Sequence, residues 1–285
     1  MPGNGQRGVA LVAVLWGALL MAGIAAGVNG GARTEIRLAR NAVLNAKAEA
    51  LADAGVHRAV AGLRDPDPEL QWHADGRPYR MSFGDAAVVV SIRDEGGKAD
   101  LNTGAEEVLL AALIAAGSPT AEAVALAAAI ADWRDPDGER SPRGAEDPDY
   151  AAAGRIEGAG DRPFEAVEEL RSVLGLGGER YRRLRPFITV SGHQRGLDPT
   201  VAPPALLEAL GAVVPPGSID GGSDGRFVSH SARRAFTLRS EASLPDGTRF
   251  IREAIVYLTR DPTRPFVMLA WRQGALDPMG PEAAR

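Results

Sequence analysis

The chain has 285 residues, of which 45% are hydrophobic and 24% charged, so it is an ordinary folded protein rather than a disordered one, with length for a membrane helix plus one large or two small domains. The formal net charge of -5 gives no general attraction to nucleic acid or anionic lipid, although it leaves room for a local basic patch. With no cysteine, disulfides, thiolate metal sites and cysteine nucleophiles are excluded.

Residues 9–28, VALVAVLWGALLMAGIAAGV, carry no charge and follow the stub MPGNGQRG. Twenty helical residues span roughly 30 Å, the thickness of a bilayer's hydrocarbon core, which predicts a transmembrane segment at 9–28 behind a leader at 1–8. Two other readings compete. A secretory signal peptide cleaved in AGIAA would have an h-region longer than the usual ~7 to 15 residues, and a buried core helix would normally carry a polar face. Arg33, Arg37 and Arg40 follow the span while only Arg7 precedes it, which runs against the positive-inside rule.

Beyond the span, Ile36, Val43, Leu44, Leu51, Val56, Val60 and Leu63 recur near helical spacing among charged residues. No proline occurs between Pro2 and Pro66, so one long helix that turns amphipathic is predicted, with Asn29-Gly30-Gly31 as its weak point. Residues 78–93 then read as a hairpin turning at Gly84-Asp85. A second β region follows near the end, with strands on either side of a Pro245–Gly247 turn and a further strand at 265–271.

Between the β regions the pattern is helical: EEVLLAALIAAG, AEAVALAAAIADW, FEAVEELRSVLGL, ERYRRLRPF and PALLEALGAV. The fold class expected is α+β. A long N-terminal helix packs on a small antiparallel sheet built from 29–97 and 216–285, and a large all-helical domain is inserted at 98–215. The insert holds a faint repeat, 99–113 against 196–210. In the first copy Asn102 or Thr103 is expected to cap a helix starting near Ala105; in the second, Pro203 and Pro204 occupy the first turn.

Asp132, Asp135, Asp137, Glu139, Glu146, Asp147 and Asp149 crowd a segment broken by Pro136, Gly138, Pro142, Gly144 and Pro148. Hard oxygen donors on a flexible loop suit Ca²⁺, which takes about 6 to 8 of them. The spacing is not that of an EF-hand, since Trp133 and Gly144 would fall on the first and twelfth loop positions. A solvated acidic loop with arginine partners is the plain alternative.

Enzyme chemistry finds no support. His57, His73, His193 and His230 lack ligand spacing, no Gly-x-Ser-x-Gly elbow or Walker loop occurs, and no catalytic residue is assigned. A rival reading is a membrane-anchored helix-hairpin-helix DNA-binding protein, in which Arg180, Arg182, Arg183 and Arg185 behind GLGG meet phosphates. The acidic loop and the negative total argue against it, and no nucleic-acid partner is expected.

GKADLNTGAEEVLLAAL, AAAIADWRDPDG, GAEDPDY and RPFEAVEELRSVLGLGGERYRRLRPFITV, in that order behind a Gly-then-apolar helix, resemble the minor pseudopilin K family of bacterial type II secretion systems. The resemblance implies a pilin-like α+β body and cleavage by a prepilin peptidase after Gly8, leaving Val9 as a methylated amino terminus. It further implies single-pass anchorage in the inner membrane, with the C-terminal domain in the periplasm. Most pilin-like subunits bear a glutamate at the fifth mature position, here Ala13, and K subunits are similar in lacking it; a tip subunit has no neighbour above whose amino terminus such a carboxylate would serve. Gly23 and Gly27 with Ala22 and Ala26 offer small surfaces for helix packing.

Carried over from the family, a structural Ca²⁺ ion is expected on Asp135, Asp137, Glu146 and Asp147, with Asp132 and Asp149 as second choices. The resemblance also implies a non-enzymatic subunit that starts a periplasmic pseudopilus at its tip and supports protein export. Its expected partners are the minor pseudopilins I and J, then H, together with the peptidase and exported proteins. A minor pilin of a type IV pilus is the neighbouring alternative.

Overall fold

The computed structural model describes residues 5–215, 217–219 and 226–275; the side chains of 5–9 and 24–34 fall outside that description. Helix α1 (Gly5–Leu63) is a single element of 59 residues whose backbone stays helical through Asn29-Gly30-Gly31, so the expected weak point does not break it. The predicted span at 9–28 and the processing pair Gly8 and Val9 lie partly or wholly among the undescribed side chains. Among the described residues, no helix is long and apolar enough to cross a membrane.

The strands, in chain order, are β1 (Asp75–Phe83), β2 (Ala86–Asp94), β3 (Ala99–Asp100), β4 (Ile188–Thr189), β5 (Ala235–Ser243), β6 (Arg249–Leu258) and β7 (Phe266–Gln273). Five of them form an antiparallel sheet in the order β1-β2-β5-β6-β7. Both predicted β regions are present, and each turn falls where glycine permits a positive φ, at Gly84 and Gly247.

Alternation decides which side of the sheet α1 covers. Val88, Val90 and Ile92 of β2, Leu238 of β5 and Ala254 and Val256 of β6 are buried against Ala52, Val56, Ala59, Val60 and Leu63 of the helix. Small residues let the two layers meet closely: a Cβ at Gly55 would lie 2.1 Å from Ser240 Oγ, and one at Gly62 would lie 2.6 Å from the Trp72 ring. Arg252 pins the same interface, with Nε 2.6 Å from Asp53 and Nη2 2.6 Å from Glu49.

β2 and β5 are hydrogen-bonded neighbours, with Asp94 opposite Phe236, although some 140 residues separate them in sequence. Everything between leaves and returns at one point on the sheet, which is how a domain enters a chain without disrupting it. That segment has its own core, running from Ala99 to Val214. It contains α2 (Glu106–Ala115), α3 (Thr120–Arg134), α4 (Asp147–Ala152), α5 (Glu179–Leu184) and α6 (Pro204–Val213).

Three sequence expectations need correction here. First, the segment is not all-helical, because β3 and β4 form a short parallel pair, Ala99 opposite Ile188. Second, FEAVEELRSVLGL is not an α-helix. Only Val167–Arg171 is helical and it is 3₁₀, with Glu169, Ser172, Val173 and Leu176 each donating to the carbonyl three residues back. Phe164, Val167, Leu170, Val173 and Leu176, all buried, recur every three residues, the period of a 3₁₀ helix rather than of an α-helix.

Third, neither Asn102 nor Thr103 caps α2, whose N-cap is Ala105 without a side-chain bond. Asp100 organises the turn instead, accepting from Asn102 N, Thr103 N and His193 N at 2.9 Å and from Gly192 N at 3.0 Å. Asn102 is thereby freed to clasp the backbone of Phe164 through both its amide atoms. In the second copy Asp198 does a related job, accepting from Thr200 N and Ser231 N, and the two repeat helices α2 and α6 pack on each other. Pro203 and Pro204 open α6 as expected.

Candidate functional site

The acidic residues gather where α3 ends and α4 begins. Asp132, on the last turn of α3, is fully buried; its Oδ2 accepts from Ser141 N at 3.2 Å, and its Oδ1 has no partner. Asp135 is the C-cap of α3, and its Oδ1 is also buried without a partner. Glu146, the N-cap of α4, is 3% exposed and leaves Oε1 unpaired. Three carboxylate oxygens are thus removed from water with nothing to bond to, a costly arrangement in a chain that satisfies most buried polar atoms.

The other acids are partly committed to the loop. Asp137 Oδ1 accepts from Glu139 N at 2.9 Å, and Asp147 Oδ1 from Ala159 N at 2.9 Å. Asp149 is paired with Arg140 at 2.9 Å and accepts from Glu146 N at 3.1 Å, holding the start of α4. Glycines let the loop close over the carboxylates: a Cβ on Gly144 would lie 1.9 Å from Asp132 Oδ2, and one on Gly158 would lie 1.8 Å from Asp147 Oδ1. Trp133 seals the inner side, with ring centroids 5.8 Å from Tyr150 and 6.2 Å from Phe164.

Arginine does not neutralise this group. Arg134, although adjacent in sequence, turns away to donate to the carbonyls of Leu101 and Gly104. Burial pushes the Glu146 carboxyl up to about 7, and repulsion from Asp132, Asp135, Asp161 and Asp147 adds to it. Burial raises Asp135 as well, reinforced by Asp137, Asp132 and Asp161. Asp161 joins them from outside the acidic segment 132–149. It lies in a Gly-rich turn at φ 48°, and only its approach to Glu146 and Asp135 in space connects it to the cluster.

Among the described residues, no group of three or more His, Cys, Asp or Glu side chains stands in metal-binding geometry. The donor set nonetheless fits a hard cation, because the orphaned oxygens of Asp132, Asp135 and Glu146 are carboxylates that repel one another in a dry setting. Of the residues expected from sequence, Asp135 and Glu146 hold such oxygens, while Asp137 and Asp147 each use one oxygen on the backbone; Asp132 joins the first pair.

The rival DNA-contacting arginines are engaged elsewhere. Arg180 pairs with Glu122, Arg182 and Arg183 with Glu179, and Arg185 with Glu253. His57 packs against Phe266 and Trp271, at 6.3 and 6.1 Å between ring centroids.

Comparison with known proteins agrees with this architecture. Residues 89–193, which run from β2 to just beyond β4, match the family described as Type II secretion system (T2SS), protein K. A Type II secretion system protein K from Pectobacterium carotovorum subsp. carotovorum is 30% identical over 213 residues, covering 64% of this chain and 62% of that protein. Its counterpart from Klebsiella pneumoniae is 36% identical over 100 residues, 33% of this chain and 30% of the relative. The matched regions therefore span less than two thirds of either relative's length.

The fold is similar to a chain in the crystal structure of the GspK-GspI-GspJ complex from the enterotoxigenic Escherichia coli type 2 secretion system. The TM-score is 0.58 at 17% identity, covering 86% of this chain and 99% of that one. The domain match at residues 89–193 and the two relatives thus make this chain similar to the type II secretion system protein K family, and the solved structure shares its fold.

Proposed function

We propose that this protein is a non-enzymatic minor pseudopilin of a type II secretion system. The observation that carries the reading is the match of residues 89–193, from within β2 to just beyond β4, to the protein K family, in a chain whose long N-terminal helix covers the sheet. In this reading the apolar stretch 9–28 anchors the chain in the inner membrane, and the pilin-like body and its insert stand in the periplasm. A prepilin peptidase cleaves after Gly8, and the new amino terminus, Val9, is methylated. The subunit then associates with minor pseudopilins I and J, and next H, because a relative in fold was crystallised as a GspK-GspI-GspJ complex.

The shape of the insert supports a tip position. The insert emerges from the sheet between β2 and β5 as a body with its own core, and in this reading its bulk leaves no room for another subunit above. Filament initiation and support of protein export are the corresponding roles. The intact mass of the chain isolated from membranes tests the reading: cleavage after Gly8 plus one methyl group is expected, whereas a mature chain beginning beyond Val28 would remove the filament proposal.

The same proposal assigns Ca²⁺ to the acidic cluster, held by Asp132, Asp135 and Glu146 with Asp137 and Asp147 beside them. When bound, the cation supplies the positive charge that the cluster lacks. The protein's own contribution is to fix the ends of α3 and α4, exclude water with Trp133 and close the loop at Gly144 and Gly158.

A further inference from the structure

The face of the sheet turned away from α1 is not apolar. Ser91 pairs across to Arg239, Arg239 to Glu253 and Glu253 to Arg272, while Arg93 lies opposite Thr237. These rows form the floor of a cleft of about 490 Å³, whose other wall is the end of α5 and the turn that follows it. Its size lies within the range of ligand clefts, and it lies where two separate cores meet, a common position for binding sites.

Positive charge is in excess there. Glu253 serves both Arg185, at 2.5 Å, and Arg272, at 3.3 Å, and Arg272 pairs with Glu168 as well. Glu241 serves Arg239 and Arg249, and Glu179 serves Arg182 and Arg183. Glu95 is saturated by Lys98 at 2.5 Å and by the hydroxyls of Thr237 and Thr189. Arg93, exposed at the mouth, has no carboxylate partner among the described residues. Beside these cations stand Pro186, Phe187, Pro203, Pro204 and Ile255, an apolar wall that a free inorganic anion would not use.

We propose that this cleft binds an extended acidic segment of a partner protein, whose carboxylates meet Arg93 and the shared arginines while its apolar side chains lie on the proline and phenylalanine wall. Charge complementarity selects the occupant, and the excess of cations makes the interaction dependent on salt. The inference goes beyond the secretion assignment and does not require it.

The test uses the full chain in detergent micelles and a fluorescein-labelled ten-residue peptide of Asp, Glu, Leu and Gly, read by anisotropy. Saturable binding that weakens from 50 to 300 mM salt is expected. Arg93→Glu should reduce affinity by about threefold or more, and Arg93→Lys should restore most of it, with the melting temperature unchanged because Arg93 holds no ion pair. A second variant, Phe187→Ser, addresses the apolar wall and should weaken the leucine-containing peptide more than an all-acidic one. No saturable binding, binding indifferent to Arg93→Glu, or complete displacement by a few millimolar inorganic phosphate would each overturn the proposal, as would tighter binding of a single-stranded DNA oligonucleotide than of the peptide.

Discussion

Arg185, in the turn after α5, donates to Glu253 of β6 at 2.5 Å and so ties the inserted helical body to the sheet across 68 residues of sequence. Burial alone would raise the Glu253 carboxyl, but Arg185 and Arg272 more than offset it and hold it below its ordinary 4.5. A carboxyl depressed in the folded state stabilises above its unfolded value and loses that contribution as pH falls through the folded one. The thermal stability of the full chain is therefore expected to drop below about pH 4.5, and Glu253→Gln should flatten that acid limb while costing about 1–3 kcal/mol at pH 7. A pH profile of melting temperature for both chains measures it; parallel profiles would remove this tie from the account.

Chelation and mutation at the acidic loop should act with opposite signs. With calcium present, Glu146→Gln removes a donor and is expected to lower the melting temperature; with chelator at pH 8, the same change removes a buried, repelled charge and is expected to raise it. For the wild-type chain, calcium at about a hundred times its dissociation constant should add about 2.7 kcal/mol over the chelated form. Calorimetry in both conditions decides the point, and a melting curve indifferent to chelator would take calcium out of the account.

Gly144→Ala tests how the loop closes. A Cβ there would lie 1.9 Å from Asp132 Oδ2, so loop or carboxylate must move, and weaker calcium binding by isothermal titration is expected with little change in far-ultraviolet circular dichroism. Unaltered affinity would mean that Asp132 is not held where calcium is bound.

Gly55→Ala should separate α1 from the sheet, since its new methyl would lie 2.1 Å from Ser240 Oγ and 2.9 Å from Val88 Cγ1. A loss of about 1–3 kcal/mol is expected. Ser240→Ala, which removes a buried hydroxyl without a partner, should be near neutral alone; combined with Gly55→Ala it should recover only part of the loss, because Val88 still obstructs. Chemical denaturation of the four chains gives the coupling.

Much of this architecture is legible in the sequence because local chemistry and tertiary packing agree there. The alternation of Tyr79, Met81 and Phe83 with the turn at Gly84-Asp85 predicts the first hairpin, the Pro245–Gly247 turn predicts the second, and the spacing of Val56, Val60 and Leu63 identifies the buried face of α1. The misread segment at 164–176 carried its own signal, a three-residue apolar period, hidden by good helix formers such as Glu168, Glu169 and Leu170. The capping error has a different origin: Asp100 bonds residues near 192 as well as its own neighbours, and no local pattern reveals a partner ninety positions away. Asp161 was missed from the acidic cluster for the same reason. The cationic face of the sheet becomes visible only once Arg239, Glu253 and Arg272 are known to lie in register.

The central claim is that this chain assembles with other minor pseudopilins. The most direct measurement is size-exclusion chromatography with mass determination on the full chain, co-expressed in membranes with pseudopilins I and J of the same bacterium and extracted in mild detergent. A single species containing one copy of each is expected; elution of the chain alone, with I and J together in a separate peak, would contradict the account.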